Sequence, residues 1–278
     1  MSGRRSHPHV AGAPYSLTAR VYDEIYAWKD YEAEARRVRR LIREYGLPHS
    51  KTLLDVACGT GAHLRYLSRW FDATGLDSSA GMLREARKSL PHVRFVRRRM
   101  EEFDLRMRFD AITCLFSAIG YVKNVRELRR TVRNFAAHLT PGGVAIVEPW
   151  LTSRTYRAGS LHLQSFGSVA LPIARMSLSE QHGNRSVLDM HHLVGTPEGV
   201  RHWVEHHGMG LFEVPTYLAA FRAAGFRPRF IRRGLMKDRG LYVAVLGGDP
   251  GRPVRGAPRP RKGNATRRRW SSRPARGS

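Results

Sequence analysis

Apolar positions along this chain follow two successive rhythms, flanked at either end by stretches that have neither. From Val21 they come at helical spacing: Val21, Tyr22, Ile25 and Tyr26 share one face. After Trp28-Lys29-Asp30-Tyr31 a second helix is predicted over about 31–45. It carries Ala35, Val38, Leu41 and Ile42 inward and Arg36, Arg37, Arg39, Arg40 and Arg43 outward. Short apolar runs then alternate with helical patterns. Strands are predicted at 52–54, 73–76, 94–96, 111–115 and 144–147, helices at about 62–71, 82–89 and 125–139, and a turn at Pro141-Gly142-Gly143. Such alternation predicts a parallel sheet covered on both faces, with ligands beyond the carboxyl ends of its strands.

Between 151 and 212 the period drops to two. Strands are predicted at 165–177, 185–194 and 200–212, separated by His182-Gly183-Asn184 and Pro197-Glu198-Gly199. A helix over 214–224, closed by Gly225, and strands at 229–233 and 241–246 complete the pattern. The expected fold is α/β: a Rossmann-like sheet with an antiparallel β subdomain, 151–212, inserted after its fifth strand to cover the rim. The organised domain is expected over 21–246. Residues 1–20 read as a flexible arm, and the Pro/Gly/Arg-rich 247–278 as a disordered basic tail.

Composition adds little except in its charge. With 42% hydrophobic residues over 278 positions a core is available. No apolar run approaches membrane-spanning length and the first residues hold no apolar signal core, so a soluble, cytoplasmic protein without a membrane partner is expected. Cys58 and Cys114 lie in apolar strand contexts and read as buried thiols of a reducing compartment. The net charge of +25 is uneven: 247–278 holds ten Lys/Arg against one Asp. Such a field draws the phosphates of a nucleic acid or of a nucleotide-linked metabolite; arginines on ordinary solvated faces are the blander reading.

The chemistry concentrates in Asp55-Val56-Ala57-Cys58-Gly59-Thr60-Gly61, a strand end turning into a helix. Gly59 and Gly61 permit positive φ and close approach of a ligand, and the helix start offers unpaired N–H groups. About twenty residues on, Asp77, followed by Ser78, ends the next strand, where a carboxylate can accept both hydroxyls of a ribose. A dinucleotide fingerprint would need a third glycine where Leu64 stands. Asp55, Asp77, Met100, Phe116-Ser117 and Glu148 all follow strand ends, so they are expected to share one rim.

The D-V-A-C-G-T-G wording resembles the first motif of class I S-adenosylmethionine-dependent methyltransferases. Tyr22-Asp23, Lys29-Asp30-Tyr31, Phe116-Ser117-Ala118-Ile119-Gly120-Tyr121, Glu148-Pro149-Trp150, Arg201-His202 and Arg239-Gly240-Leu241 narrow it. Over 22–246 the chain resembles the dTDP-3-amino-3,6-dideoxyhexose N,N-dimethyltransferases of the desosamine and mycaminose type. That resemblance implies S-adenosylmethionine as cofactor, a dTDP-amino sugar as substrate, antibiotic biosynthesis as setting, an antiparallel seventh strand and a homodimer. It places Tyr22, Asp55, Ala57, Gly59, Gly61, Asp77, Ser78, Met100 and Phe116 around the cofactor. Tyr26, Glu148, Trp150, His207 and Arg239 fall around the sugar and its diphosphate. Three departures stand out: Arg98-Arg99-Met100 replaces Gly-Asp-Met, Ala118 a usual serine, and residues 151–154 a Trp-Phe-Pro-Glu run.

In-line methyl transfer needs a neutral amine behind the methyl carbon, so positioning can supply most of the acceleration. Tyr26 and Glu148 are expected to orient the amine, and His207 or solvent to take its proton. A metal is not expected: His191, His192, His202, His206 and His207 alternate across strand faces, with no ligand spacing among them. The competing class is a nucleic-acid methyltransferase, argued from the basic tail. Against it, Phe116-Ser117-Ala118-Ile119 lacks the Pro-Pro-aromatic turn that stacks a flipped base.

Overall fold

The structure, a computed structural model, describes residues 10–12 and 18–247. The chain begins with β1 (Val10–Gly12), a 3-10 turn at Thr18–Arg20, α1 (Tyr22–Ile25) and α2 (Tyr31–Tyr45). Asp30 starts α2 by accepting a hydrogen bond from the Ala33 amide at 2.8 Å, as an N-cap carboxylate does. Next come β2 (Thr52–Val56), α3 (Leu64–Leu67), β3 (Asp72–Asp77), α4 (Ala80–Ser89), β4 (Arg94–Arg97), β5 (Phe109–Cys114), a 3-10 turn at Ala118–Tyr121, α5 (Val125–Ala137) and β6 (Leu139–Val147). Four long strands follow: β7 (Leu161–Ser168), β8 (Leu171–His182), β9 (Arg185–Thr196) and β10 (Gly199–Gly210). The last elements are α6 (Val214–Ala223), β11 (Phe226–Ile231) and β12 (Leu241–Leu246).

The main sheet has seven strands in the order β4-β3-β2-β5-β6-β12-β11, parallel except for β12, which runs antiparallel to both its neighbours. Both faces are covered. Leu54, Val56, Ile112 and Val147 pack with Phe135 of α5 and Phe221 of α6 on one side. Leu53, Ala111, Val144 and Ile146 pack with Val38 and Ile42 of α2 and Leu64 of α3 on the other. Each Val, Leu, Ile or Phe among them contributes about 1.5–3 kcal/mol on burial, and burial on both faces is why these strands read as apolar runs and not as alternations. The reversal in the order of parallel strands, where β2 meets β5, opens the rim at which Asp55 and Phe116 lie.

The second sheet has the order β1-β10-β9-β8-β7. Its alternation is two-faced: Ile173, Val194 and Trp203 are buried against Val21 and Ile25, while Leu161, Leu163, Met176, Leu178 and Leu193 point outward and are exposed.

Five expectations need correction. Residues 10–12 and 18–20, expected to be mobile, belong to the fold. Val10–Gly12 pairs in parallel with Trp203–Glu205, and Thr18 and Ala19 are buried because their apolar and hydroxyl groups fill the seam between the sheets. The rest of the arm, 1–9 and 13–17, and the tail from 248 lie outside the described residues. The strand expected at 165–177 is two, β7 and β8, which reverse after Ser168; Gly167 at φ +81° permits the bend that apolar Phe166, Val169 and Leu171 had concealed. Pro141-Gly142-Gly143 is not a turn but a bulged part of β6, with Gly142 at φ +83° and the register shifting between Phe109 and Ala111. The helix expected over 62–71 is only α3, and the strand expected at 229–233 is β11. Pro228 sits inside β11, tolerated because that strand is the sheet's edge.

Candidate active site

The rim is built by two backbone turns, one closing β2 and one closing β5, that hold three residues in strained conformations. Ala57 (φ 58°), Phe116 (φ 52°) and Ser117 (φ 62°) are all left-handed and none is glycine. Each such residue costs about 1–2 kcal/mol, so packing must hold them there. Part of that hold is Glu148, fully buried just after β6. Its Oε2 accepts from the Phe116 amide at 2.7 Å and its Oε1 from the Met236 amide at 2.9 Å. Burial pushes the Glu148 carboxyl above its ordinary range, against the Met236 amide and the charge of Lys29. Glu148 thus ties the turn after β5 to the loop before β12.

Over β2 the glycine turn is open. Gly59 has φ +58°, and a Cβ added there would meet no atom within 4 Å; Gly61, at φ +80°, is closed in by Leu90. Gly75 behind them must lack a side chain, since a Cβ would stand 2.6 Å from Phe95 and 2.9 Å from Cys58 Sγ. Asp55 is buried, with Oδ1 accepting from Thr113 Oγ1 at 2.7 Å. Asp77 accepts from the Gly59 amide at 2.9 Å and from the Ser79 amide at 2.8 Å. Burial raises both carboxyls, Asp55 to about 6 in spite of the nearby His63. Two desolvated acids beside an open glycine turn suit a ligand with positive charge and a diol. They would repel a pyrophosphate.

From above, the amino-terminal segment closes over this turn. Tyr22 is buried with Ala19 and with Met82 of α4, and Tyr26 stands 4.6 Å from the Tyr22 ring and edge-on to Phe116 at 5.0 Å. Thr60 Oγ1 donates to Asp23 Oδ1 at 2.6 Å, fastening α1 to the glycine turn. Lys29 is buried, paired with Glu34, and lies 4.7 Å over the Phe116 ring. Burial would raise Glu34, yet His63, 2.8 Å away, and Lys29 outweigh it and hold the carboxyl low.

The opposite wall comes from the second sheet and the loop before β12. Arg239 donates to Ser117 Oγ at 2.7 Å and lies 4.5 Å over the Trp150 ring, and Ser117 Oγ donates on to the Pro149 carbonyl at 2.7 Å. Trp150 in turn donates its indole N–H to Ser186 Oγ of β9 at 2.9 Å. From β8, Arg175 donates to Tyr26 Oη at 3.0 Å. His207 is buried on β10, with Nδ1 2.7 Å from Tyr121 Oη and Nε2 3.5 Å from Glu205.

A chain of contacts thus joins Tyr22, Tyr26, Phe116 and Glu148, and through Ser117 reaches Arg239 and Trp150, while the Thr60–Asp23 hydrogen bond joins α1 to the glycine turn where Gly59 donates to Asp77. Ser78 is exposed, and its carbonyl accepts from Arg97. Met100 is buried, its carbonyl held by Asn134 of α5 at 3.1 Å. The neighbouring Arg99 is paired with Glu101. His207 lies behind the wall, reaching the rim through Tyr121. Sequence reasoning assigned no role to Tyr121, Arg175, Glu205 or Lys29. Tyr121 and Lys29 stand inside recognisable blocks, but Arg175 and Glu205 have only their inward place in an alternating strand as a signal. Among the described residues no three His, Cys, Asp or Glu side chains gather as a metal site requires, and no helix is long and apolar enough to cross a membrane.

A family described as a methyltransferase domain matches residues 53–143. A Streptomyces venezuelae protein described as dTDP-3-amino-3,4,6-trideoxy-alpha-D-glucopyranose N,N-dimethyltransferase is 41% identical, over 82% of this chain and 97% of its own. A Saccharopolyspora spinosa protein described as dTDP-4-amino-2,3,4,6-tetradeoxy-D-glucose N,N-dimethyltransferase is 38% identical, over 82% and 92%. Among solved structures, SAM-bound CalS10, an amino pentose methyltransferase of Micromonospora echinaspora from calicheamicin biosynthesis, superposes with a TM-score of 0.72. The two are 34% identical, over 86% of this chain and 99% of that one.

Proposed function

Because the chain belongs to the family of dTDP-amino-sugar N,N-dimethyltransferases, we propose that it methylates the amine of a nucleotide-linked amino sugar. The pair of buried carboxylates at the open glycine turn carries the reading. Asp55 and Asp77, both raised by burial, match the positive charge and ribose diol of S-adenosylmethionine, which supplies an electrophilic methyl group when bound. Asp77 and Gly59 would hold the ribose, Asp55 the cationic end, and Tyr22, Met100 and Phe116 the adenosine's flanks. Ala57, Gly61 and Ser78 complete that cradle.

The amine has to reach the methyl group as a free base with its lone pair aimed. Tyr26, clamped between Phe116 and Arg175, offers a hydroxyl whose direction is set by the Arg175 hydrogen bond. Glu148 acts one step back. Both of its oxygens are taken up by backbone amides, so it positions Phe116 and the 236–239 loop instead of serving as base. Arg239 and Trp150 form the wall for the sugar and its diphosphate, and His207 accepts the amine's proton.

The test is mass spectrometry of a panel of dTDP-amino sugars incubated with protein and S-adenosylmethionine. Gains of one or two methyl groups on a nucleotide sugar are expected; gains on RNA alone would refute the reading in favour of a nucleic-acid enzyme. Any polyanion binding is assigned to the basic 247–278 tail, whose removal is expected to leave sugar methylation unchanged. The same reading carries a cytoplasmic location, which two free thiols suit. It also carries a homodimer, for which the exposed apolar side of the second sheet offers the surface.

A further inference from the structure

Strand β10 turns Trp203, Glu205 and His207 toward the protein interior, where all three are buried. A strand lining a substrate wall could do this with apolar residues alone. Burying a carboxylate and an imidazole is costly unless they are paired, so their partners matter. Glu205 accepts from the Thr18 amide through Oε1 at 3.3 Å and faces His207 Nε2 through Oε2 at 3.5 Å. The contact is an ion-pair distance and not a hydrogen bond, but a carboxylate facing Nε2 favours the tautomer that carries the ring proton there, in which Nδ1 is the acceptor. In that tautomer Tyr121 Oη, 2.7 Å from Nδ1, is the donor. Tyr121 is half-buried at the end of the 3-10 turn that begins at the strained Phe116-Ser117 rim.

We infer that Tyr121, His207 and Glu205 form a proton relay that strips the substrate ammonium before each methyl transfer. This rests on the rim being an amine-methylating site. The ammonium N–H proton passes to Tyr121 Oη as the Tyr121 hydroxyl proton passes to His207 Nδ1. The products are a neutral amine, an intact phenol and an imidazolium facing Glu205, which later returns its proton to solvent. Tyr121 is the link to the substrate; His207 stores the proton, and Glu205 is a positioning residue acting through it.

The surroundings fit that assignment. The charged and titratable groups facing His207 are Tyr121 from the rim turn, Glu205 on its own strand and His192 on β9, with Arg175 of β8 beyond. Burial would raise Glu205, but His207 and Thr18 outweigh it and keep the carboxyl low, hence ionised and ready to hold an imidazolium. His192 is driven down to about 4, first by burial, with Arg175 and His207 adding to it and Glu205 opposing. It stays neutral and does not compete for the proton. The relay answers a need peculiar to double methylation. The first transfer leaves a methylated ammonium, which must lose a proton before it can attack again.

Because the relay sets a protonation state and not the transfer barrier, its loss has a pH signature that a packing defect lacks. In Tyr121→Phe the acid limb of the kcat profile should move upward, to the range of the substrate's own amine, roughly 8. Turnover should then fall on the order of tenfold at pH 7 and recover by about pH 9, with monomethylated product accumulating at the lower pH. Glu205→Gln should do the same. Its tie to Thr18 puts folding at risk, whereas Tyr121→Phe keeps the ring. An equal loss at both pH values, or an unmoved limb with an unchanged mono-to-dimethyl ratio, would overturn the relay while leaving the methyltransferase reading intact. Failure of the unaltered protein to methylate any nucleotide amino sugar at either pH would overturn both.

Discussion

Asp55 shows how far one buried carboxyl can couple the cradle to pH. Its folded value of about 6 lies some two units above an unfolded aspartate, near 3.9. Below pH 4 both states are protonated and the group costs nothing. As pH rises through 4 to 6 the folded state must ionise a buried acid, losing about 3 kcal/mol of stability. Without ligand, therefore, the melting temperature measured relative to that of Asp55→Asn should rise on acidifying from pH 7 to 5. Cofactor affinity should move the opposite way, because a sulfonium and an ammonium favour the ionised form. Calorimetric titration should find affinity falling up to tenfold per unit below pH 6, and a flat profile in Asp55→Asn. Tyr26→Phe removes one oriented hydroxyl and should lower turnover about three- to tenfold in steady-state assays; a loss of many orders would mean acid–base chemistry at Tyr26. Gly61→Ala forces a side chain into φ +80° with its Cβ 2.9 Å from Leu90, and urea unfolding should show a loss of about 1–3 kcal/mol. These residues were legible in the sequence because strand, glycine turn and acid follow one another within some twenty positions. Arg175 and Glu205 were not, since each meets its partner more than a hundred residues away, Arg175 with Tyr26 and Glu205 with Thr18.

At the scale of elements, the main sheet could be read because burial on both faces makes each of its strands a short apolar run between glycine or proline marks. The second sheet was harder. Its turn between β7 and β8 lies in Gly167-Ser168-Val169-Ala170, only one residue of which announces a bend. β1 was illegible for a different reason. Three residues, Val-Ala-Gly, carry no period, and pairing with β10 alone defines them as a strand. The 3-10 turn before α1 is held by Thr18, whose Oγ1 accepts the buried Trp203 indole N–H at 3.1 Å. Thr18→Val strands that donor, at about 1–3 kcal/mol. Hydrogen exchange should quicken at 18–26 and at β10 while β2 to β6 keep their protection.

The molecule as a whole carries its charge and its apolar surface in different places. Arginines line α2 and fill the basic tail, whereas the outer side of the second sheet presents Leu161, Leu163, Met176, Leu178 and Leu193 at 40–69% exposure. If two copies pair there, Leu163→Glu should yield monomers by light scattering with methylation retained, because the side chain points away from the wall that holds Arg175 and His207. An unchanged mass would place any dimer contact elsewhere.

The tie between Thr18 and Glu205 spans 187 residues of chain, which bears on how the protein is made. On a ribosome working at about 5–20 residues per second, Thr18 waits on the order of 10–40 s for its partner to be synthesised. The strands β2 to β6 that shape the cofactor cradle emerge well before that. A nascent chain should therefore gain a place for its cofactor while the wall that receives the sugar is still unbuilt, with one seam joining the earliest part of the site to a strand made after the cradle.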